Sequence, residues 1–533
     1  MVNMRLCLAM IALVGLALFV AEAAGWAQEP PTAKPTAREL PPAPEVLDVT
    51  ALVARLDQWI AAGLKSAQIE PAPLGDDATF QRRLYLDLIG RIPSVAEVRE
   101  FLDDSRPDKR ARLIQELMAS PGFVNHFASV WRAWLLPENG NTQVEQIAPA
   151  FEAWLRGKLK AGTSYDKIVR EIILAAPAAG RGRGVTTLGE QQAGGAAVFA
   201  QANEFKPENL AGSTARLFLG VKLECAQCHN HPTARWSREQ FWQFAAFFAA
   251  QGNKREVKIP NTSDSVTPRF LDKTEPQWAA NSNARAVLAD WMLTQSNPYF
   301  ARAAVNRLWA YFFGVGLVDP VDDLAEQNPP SHPELLDELS RQFAGHQFDL
   351  RYLIQTMVAS RTYQSSSAIT HPSQSDQRLF ARMPVRGLSP EQLFDSLALA
   401  TGYQSTANGP RAARGGNARA EFLAKFANPS ERRTETQTSM LQALALMNGR
   451  FVADATSLER SEILGAVADA PFLNNAECID VLFMATLSRK PRGSEASRFT
   501  TYIEDGGPHH DRRRALADVF WALLNSSEFI LNH

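Results

Sequence analysis

Apolar residues recur every three or four positions along most of this chain, and that spacing predicts helices. The first stripe is Leu52, Leu56 and Trp59-Ile60. Four more follow over residues 83–89, 95–102, 110–118 and 123–135. No stretch sustains the period-two alternation of a half-buried strand, so the fold class is all-α with little or no sheet. Less regular sequence punctuates the helices. Residues 24–48 are rich in Pro and Ala and read as an extended tether, whereas 175–203 is Gly/Ala-rich. A polar connector covers 252–281, and 404–433, rich in Arg, Asn and Gly, reads as a long surface loop. The main boundary is placed in the polar connector. This gives two helical domains, 49–251 and 282–533, joined by irregular Gly/Pro/polar connectors.

One helical pattern recurs. Residues 112–123 (RLIQELMASPGF) return as 352–363 (YLIQTMVASRTY) and, more loosely, as 518–529 (DVFWALLNSSEF). The first and third copies are each preceded by an Arg-x-Pro, Arg91-Ile92-Pro93 and Arg489-Lys490-Pro491. Each copy reads as helix, capping Ser and buried aromatic, a packing device with no chemistry assigned to it. For the third copy, chance likeness among amphipathic helices is the competing reading.

The N-terminus departs from the helical pattern. Arg5 precedes an apolar run from Leu6 to Val20, and Ala21-Glu22-Ala23 fits a small-residue cleavage site, so residues 1–23 are expected to be a secretory signal peptide. The run is shorter than the roughly 20 residues a spanning helix needs, and no later stretch reaches that length. The chain is therefore expected to be exported, to the periplasm, cell envelope or outside, with no membrane span after cleavage. The formal net charge of −2 gives no basic excess for nucleic acid. Of the four cysteines, Cys7 lies in the leader, which leaves too few for a disulfide scaffold.

Two of the remaining three, Cys225 and Cys228, belong to Cys225-Ala226-Gln227-Cys228-His229-Asn230-His231-Pro232. A helical pattern leads into this motif (Leu210, Thr214, Leu217-Phe218, Val221). A Phe-rich one follows it, with Trp236, Phe241, Trp242, Phe244, Phe247 and Phe248 expected to wall a macrocycle from water. The spacing suits covalent haem c: two thiols three residues apart reach the porphyrin vinyl groups, and His229 becomes the proximal iron ligand. Two readings compete with it. Zn²⁺ could be held by Cys225, Cys228, His229 and His231, although four ligands within seven residues would be cramped. Alternatively the cysteines form a structural or redox-active disulfide. Candidates for a sixth iron ligand are Met292, His332, Met383, Met440 and Met447. Each has a plainer reading as packing, and His332 one as an exposed first-turn residue of a helix that begins with a capping box. Arg302, Asn306, Arg307 and Trp309 read as a buried polar network, with binding of an anionic or sugar-like ligand the competing reading, and Asp322, Asp323 and Glu326 as loop and helix-start charge. There is no Ser/His/Asp order, phosphate loop or paired carboxylate to mark an enzyme.

Several motifs together resemble a planctomycete two-domain family, a cytochrome-c-like PSCyt domain of the second type followed by a PSD domain of the first type, both of unknown function. The first is similar over FQRRLYLDLIG (80–90), LMASP (117–121), SYDKIVR (164–170), FLGV (218–221) and the cysteine motif. The second is similar over NPYFAR (297–302), VNRLW (305–309), FGVGL (313–317), PSHPELL (330–336), QALALMNG (442–449) and WALLNS (521–526). The resemblance implies a cytochrome-like site at Cys225, Cys228 and His229, an exported setting and no established activity. Members often carry an acidic residue where this chain has Asn230, which removes a possible imidazole-orienting carboxylate. Taken together, the expected role is electron transfer in the cell envelope through covalent haem c and a redox partner protein. The alternative is a non-catalytic envelope binding or scaffold protein, possibly polysaccharide-related, whose motif is structural. A weaker third is an enzyme using the metal or haem.

Overall fold

A computed structural model describes residues 45–136, 142–175, 190–230, 235–249, 255–279, 282–403, 418–426, 452 and 456–533. The expected signal peptide, nearly all of the expected tether, His231, Met440 and Met447 lie outside the described residues. Among the described residues there are 22 α-helices. The strands are four two-residue segments in two antiparallel pairs, Val257–Lys258 with Ser265–Val266 and Arg386–Gly387 with Leu531–Asn532. The fold class is all-α. Among the described residues no helix is long and apolar enough to cross a membrane.

Helices begin where the sequence supplies side-chain acceptors for otherwise unpaired N–H groups. Ser94 with Glu97, Ser389 with Gln392 and Asn474 with Glu477 form capping boxes. The buried faces gather into two cores. The larger runs from Leu52 to Met383 and holds Phe80, Trp131, Phe218, Phe244, Trp309 and Tyr363. The smaller collects residues from Leu388 to Phe529 and also takes Leu86 and Ile92 from the start of the chain.

The recurring helix pattern is a repeated turn at atomic level. Helices Lys109–Ala119, Leu350–Ala359 and Arg512–Leu524 lead to Ser120, Ser360 and Ser526. Each serine hydroxyl donates to a carbonyl three residues back, Leu117, Met357 or Leu523, at 2.7 Å. Each also accepts from the N–H of the aromatic residue three ahead, Phe123, Tyr363 or Phe529, all three of which are buried. The likeness of the first and third copies extends upstream. Arg91 spans both Glu97 oxygens and lies over the Tyr85 ring, as Arg489 spans both Glu495 oxygens and lies over Phe483. Gly90 and Ser488 both adopt positive φ just before those arginines. Chance likeness of amphipathic helices would not reproduce these polar contacts, so an early and a late segment of the chain share one helical unit.

The arginine clamp in the later copy gives the protein an acid-sensitive point. Hydrogen bonding to Arg489 holds the Glu495 carboxyl at about 2, well below its usual 4.5. A depressed carboxyl stabilises the fold fully above its unfolded value and loses that contribution as pH falls through the folded one. Acid should therefore loosen the segment 489–528 progressively between pH 4.5 and 2. Amide exchange of this segment against pH measures the effect, and Glu495→Gln should flatten the profile there.

The two ends of Val46–His533 meet in a buried polar cluster. Asp87, 1% exposed, accepts from Arg386 (2.8 and 3.0 Å), the Tyr363 hydroxyl (2.7 Å) and Asn532 (2.8 Å). Its backbone carbonyl accepts from the Tyr311 hydroxyl, whose proton is thereby committed, so His126 Nε2 donates to Tyr311 (2.7 Å). A side chain on Gly90, at φ +83, would strike that imidazole. Neighbouring Arg82 donates to the carbonyls of Thr486 (2.9 Å) and Phe529 (2.7 Å). Arg83 donates to those of Ser365 (3.0 Å) and His533 (3.2 Å). Burial lowers both guanidinium groups to about 10, so they stay charged at neutral pH.

Three expectations of irregular structure are corrected. Helix Glu190–Ala202 occupies the Gly/Ala-rich stretch, where Phe199 is buried. Helix Ala418–Phe426 lies within the expected loop 404–433, with Phe422 and Phe426 buried in the second core. There, apolar anchors outweigh a local composition that favours coil. His332 is not an exposed first-turn residue: it is the position before Pro333–Gly345, makes no side-chain cap and is 7% exposed. It packs against Gly63 and the Phe380 ring.

Candidate functional site

Helix Pro207–Leu219 delivers the cysteine motif. Leu210, Ala211, Thr214, Ala215 and Phe218 bury one face, which fixes the helix against the core. The helix stops at Gly220 in the left-handed region (φ +65), and Val221 N–H returns to the Ala215 carbonyl at 3.0 Å, the usual closure of a glycine-ended helix. Val221 and Leu223 are buried, and the chain then makes the 3₁₀ turn Glu224–Gln227.

That turn sorts the motif's side chains. Ala226 is fully buried and pins the turn from below, while Cys225 and Cys228 are exposed with free thiols. Cys225 stands within the 3₁₀ turn and Cys228 is the residue that ends it. Trp242 Nε1–H donates to the Gln227 carbonyl (3.1 Å), tying the turn to helix Arg238–Ala249. His229 is exposed, and its Nδ1 lies 2.7 Å from the Asn230 carbonyl. A carbonyl only accepts, so Nδ1 carries the proton and Nε2 keeps its lone pair. The Asn230 side chain accepts from Arg238 N–H (3.0 Å), which fixes the backbone that orients His229. The imidazole is thus oriented by a main-chain carbonyl.

Among the described residues, no three His, Cys, Asp or Glu side chains converge to hold one metal ion. The donor set nonetheless fits a porphyrin anchor. Zinc needs its donors within about 2.3 Å of one point, whereas haem c needs thiols at the ring edge and an imidazole at its centre. His231, the alternative metal ligand, lies outside the described residues.

The expected aromatic wall is corrected. Trp236, Phe241, Trp242, Phe244, Phe247 and Phe248 are all buried, 8% exposed or less. Phe247 stacks on Phe270, and Phe270 on Trp291. The rings support the motif from the core side and present no open face beside the thiols. Met292, Met383 and His332 are likewise committed to packing.

The second-half residues fall in different places. Asn306 is buried and pairs with both the N–H and carbonyl of Val318, Trp309 stacks on Phe313, and Arg307 forms a largely buried ion pair with Asp322. Arg302 instead pairs with Asp337 at the surface. Asp322 is therefore the hub of an ion network in a loop, not helix-start charge. Sequence reasoning missed Asp322, Arg216 and Leu324, which meet beside the motif. Their separation of about a hundred positions leaves no local signal.

Residues 55–252 match the family model PSCyt2, a protein of unknown function (DUF1549). Residues 284–425 match PSD1, a protein of unknown function (DUF1553). No curated protein and no solved structure matches significantly.

Proposed function

Since the chain belongs to the two-domain family in which PSCyt2 precedes PSD1, with no activity assigned to either, we propose from its own site that it is an exported haem-c protein passing electrons in the cell envelope. One observation carries the reading: His229 Nδ1 is committed to the Asn230 carbonyl, leaving Nε2 free in a segment with two exposed thiols, Cys225 within the 3₁₀ turn and Cys228 directly after it.

In this reading Cys225 and Cys228 would hold haem c through two thioethers and His229 Nε2 would ligate its iron. The group would supply one-electron chemistry. The rest is positioning by the chain. Ala226 and Trp242 hold the turn, and the Asn230 carbonyl sets the imidazole tautomer. Envelope localisation is part of the proposal and rests on the apolar leader. The test is an optical redox titration of the mature protein. Reversible one-electron bleaching and recovery of the haem bands supports the reading, and bands that do not respond to potential contradict it.

A further inference from the structure

The surroundings of Cys225 are built from both halves of the chain. Arg216, in the last turn of Pro207–Leu219, donates to Glu224 (3.1 Å) and to Asp322 (3.5 Å). Arg307, on helix Phe300–Phe313, donates to Asp322 and to the Arg216 carbonyl (3.4 Å). Leu324 N–H donates to the Gly220 carbonyl (2.8 Å), and its side chain covers Gly220 so closely that a Cβ there would lie 2.6 Å from Leu324 Cδ1. Glu326 pairs with Arg235, beyond the motif. Three alternate residues of one loop thus grip the chain before Cys225 and after His229.

We infer that the loop 319–328 is the second half's contribution to the Cys225–His229 site, with Asp322 a positioning residue acting through Arg216 on the segment that carries the first thiol. Helix-end carbonyls have no partner within their helix, so the segment 216–220 depends on donors from elsewhere. Arg307 and Leu324 supply them. Asp322 keeps the Arg216 and Arg307 guanidinium groups compatible in a setting where its side chain is 15% and Arg307's 9% exposed. Removing that carboxylate sets two cations against each other. It also removes a negative charge that favours the oxidised, more positive form of a redox centre beside it. The redox part rests on the proposed function, whereas the positioning part does not.

The experiment compares Asp322→Asn, Asp322→Glu and Leu324→Ala in the full chain. Amide exchange of residues 220–229 is followed in haem-free protein, and the midpoint potential in haem-loaded protein. Asp322→Asn and Leu324→Ala are each expected to speed exchange about tenfold, the first from the loss of a charged hydrogen bond and the second from the loss of the side chain that covers Gly220, since Ala keeps the backbone N–H bond. Asp322→Glu should restore the slow rate. Asp322→Asn should also raise the potential, while Leu324→Ala, which keeps the charge, moves it less. Unchanged exchange in Leu324→Ala, a variant that leaves the ion network intact, overturns the inference. An unchanged potential in haem-loaded Asp322→Asn overturns the redox part, while the exchange rates decide the positioning part. Faster exchange in protein that takes up no haem supports the loop's role and counts against the haem reading alone.

Discussion

Replacing Asp87 with Ala is expected to destabilise the protein by about 3–5 kcal/mol, the cost of breaking a buried charge pair from one side. The carboxylate holds Arg386, Tyr363 and Asn532 together, and its loss leaves Arg386 buried without its counter-charge. Arg82 and Arg83 lie in the same interior, so the variant also leaves cations in excess there. Asp87→Asn should cost less, because an amide oxygen still accepts one hydrogen bond. Urea unfolding followed by circular dichroism reads both, with Asp337→Asn as the reference. Asp337 is 64% exposed in a surface pair with Arg302, so its replacement should shift stability by about 0.5 kcal/mol or less. Equal midpoints for Asp87→Ala and Asp337→Asn would mean the cluster does not hold the ends of the fold together.

The second large effect is on cofactor attachment. Cys225→Ala with Cys228→Ala should abolish covalent haem, whereas either single variant should keep one thioether. Because both thiols are exposed and outside the core, the double variant should unfold at the same urea concentration as haem-free wild type. That separates the haem reading from a structural site, for which loss of both sulfurs would cost stability directly. Cys478 offers an internal contrast. It is buried in the second core with Arg512 Nη2 3.3 Å from its sulfur, so its replacement should affect folding and leave haem attachment alone.

What the sequence revealed was local in range. Helix spacing, the capping serines and the Cys-x-x-Cys-His turn each rest on contacts within a few residues. Ser120, Ser360 and Ser526 fulfil the expected role down to matching hydrogen bonds. The likeness of Arg91 and Arg489 was visible as Arg-x-Pro, but the shared Glu four residues past each proline became meaningful only with the side-chain geometry in place. What stayed hidden was long-range. Asp87 meets Arg386 and Asn532 across separations of 299 and 445 residues. Asp322 reaches Arg216 across 106. The Phe-rich helix after the motif had the right composition for a haem wall. A helix that is apolar on most of its faces is, however, a buried helix, and Phe244, Ala245, Ala246 and Phe247 together bury it on nearly every side.

The most direct measurement is the intact mass and absorption spectrum of the mature protein, expressed with haem-c maturation machinery beside a control cytochrome. The account predicts a mass increase of one haem, with a Soret band that vanishes in the double cysteine variant. Colourless, unmodified protein from cells in which the control matures would contradict it, and would return Cys225, Cys228 and His229 to a structural role.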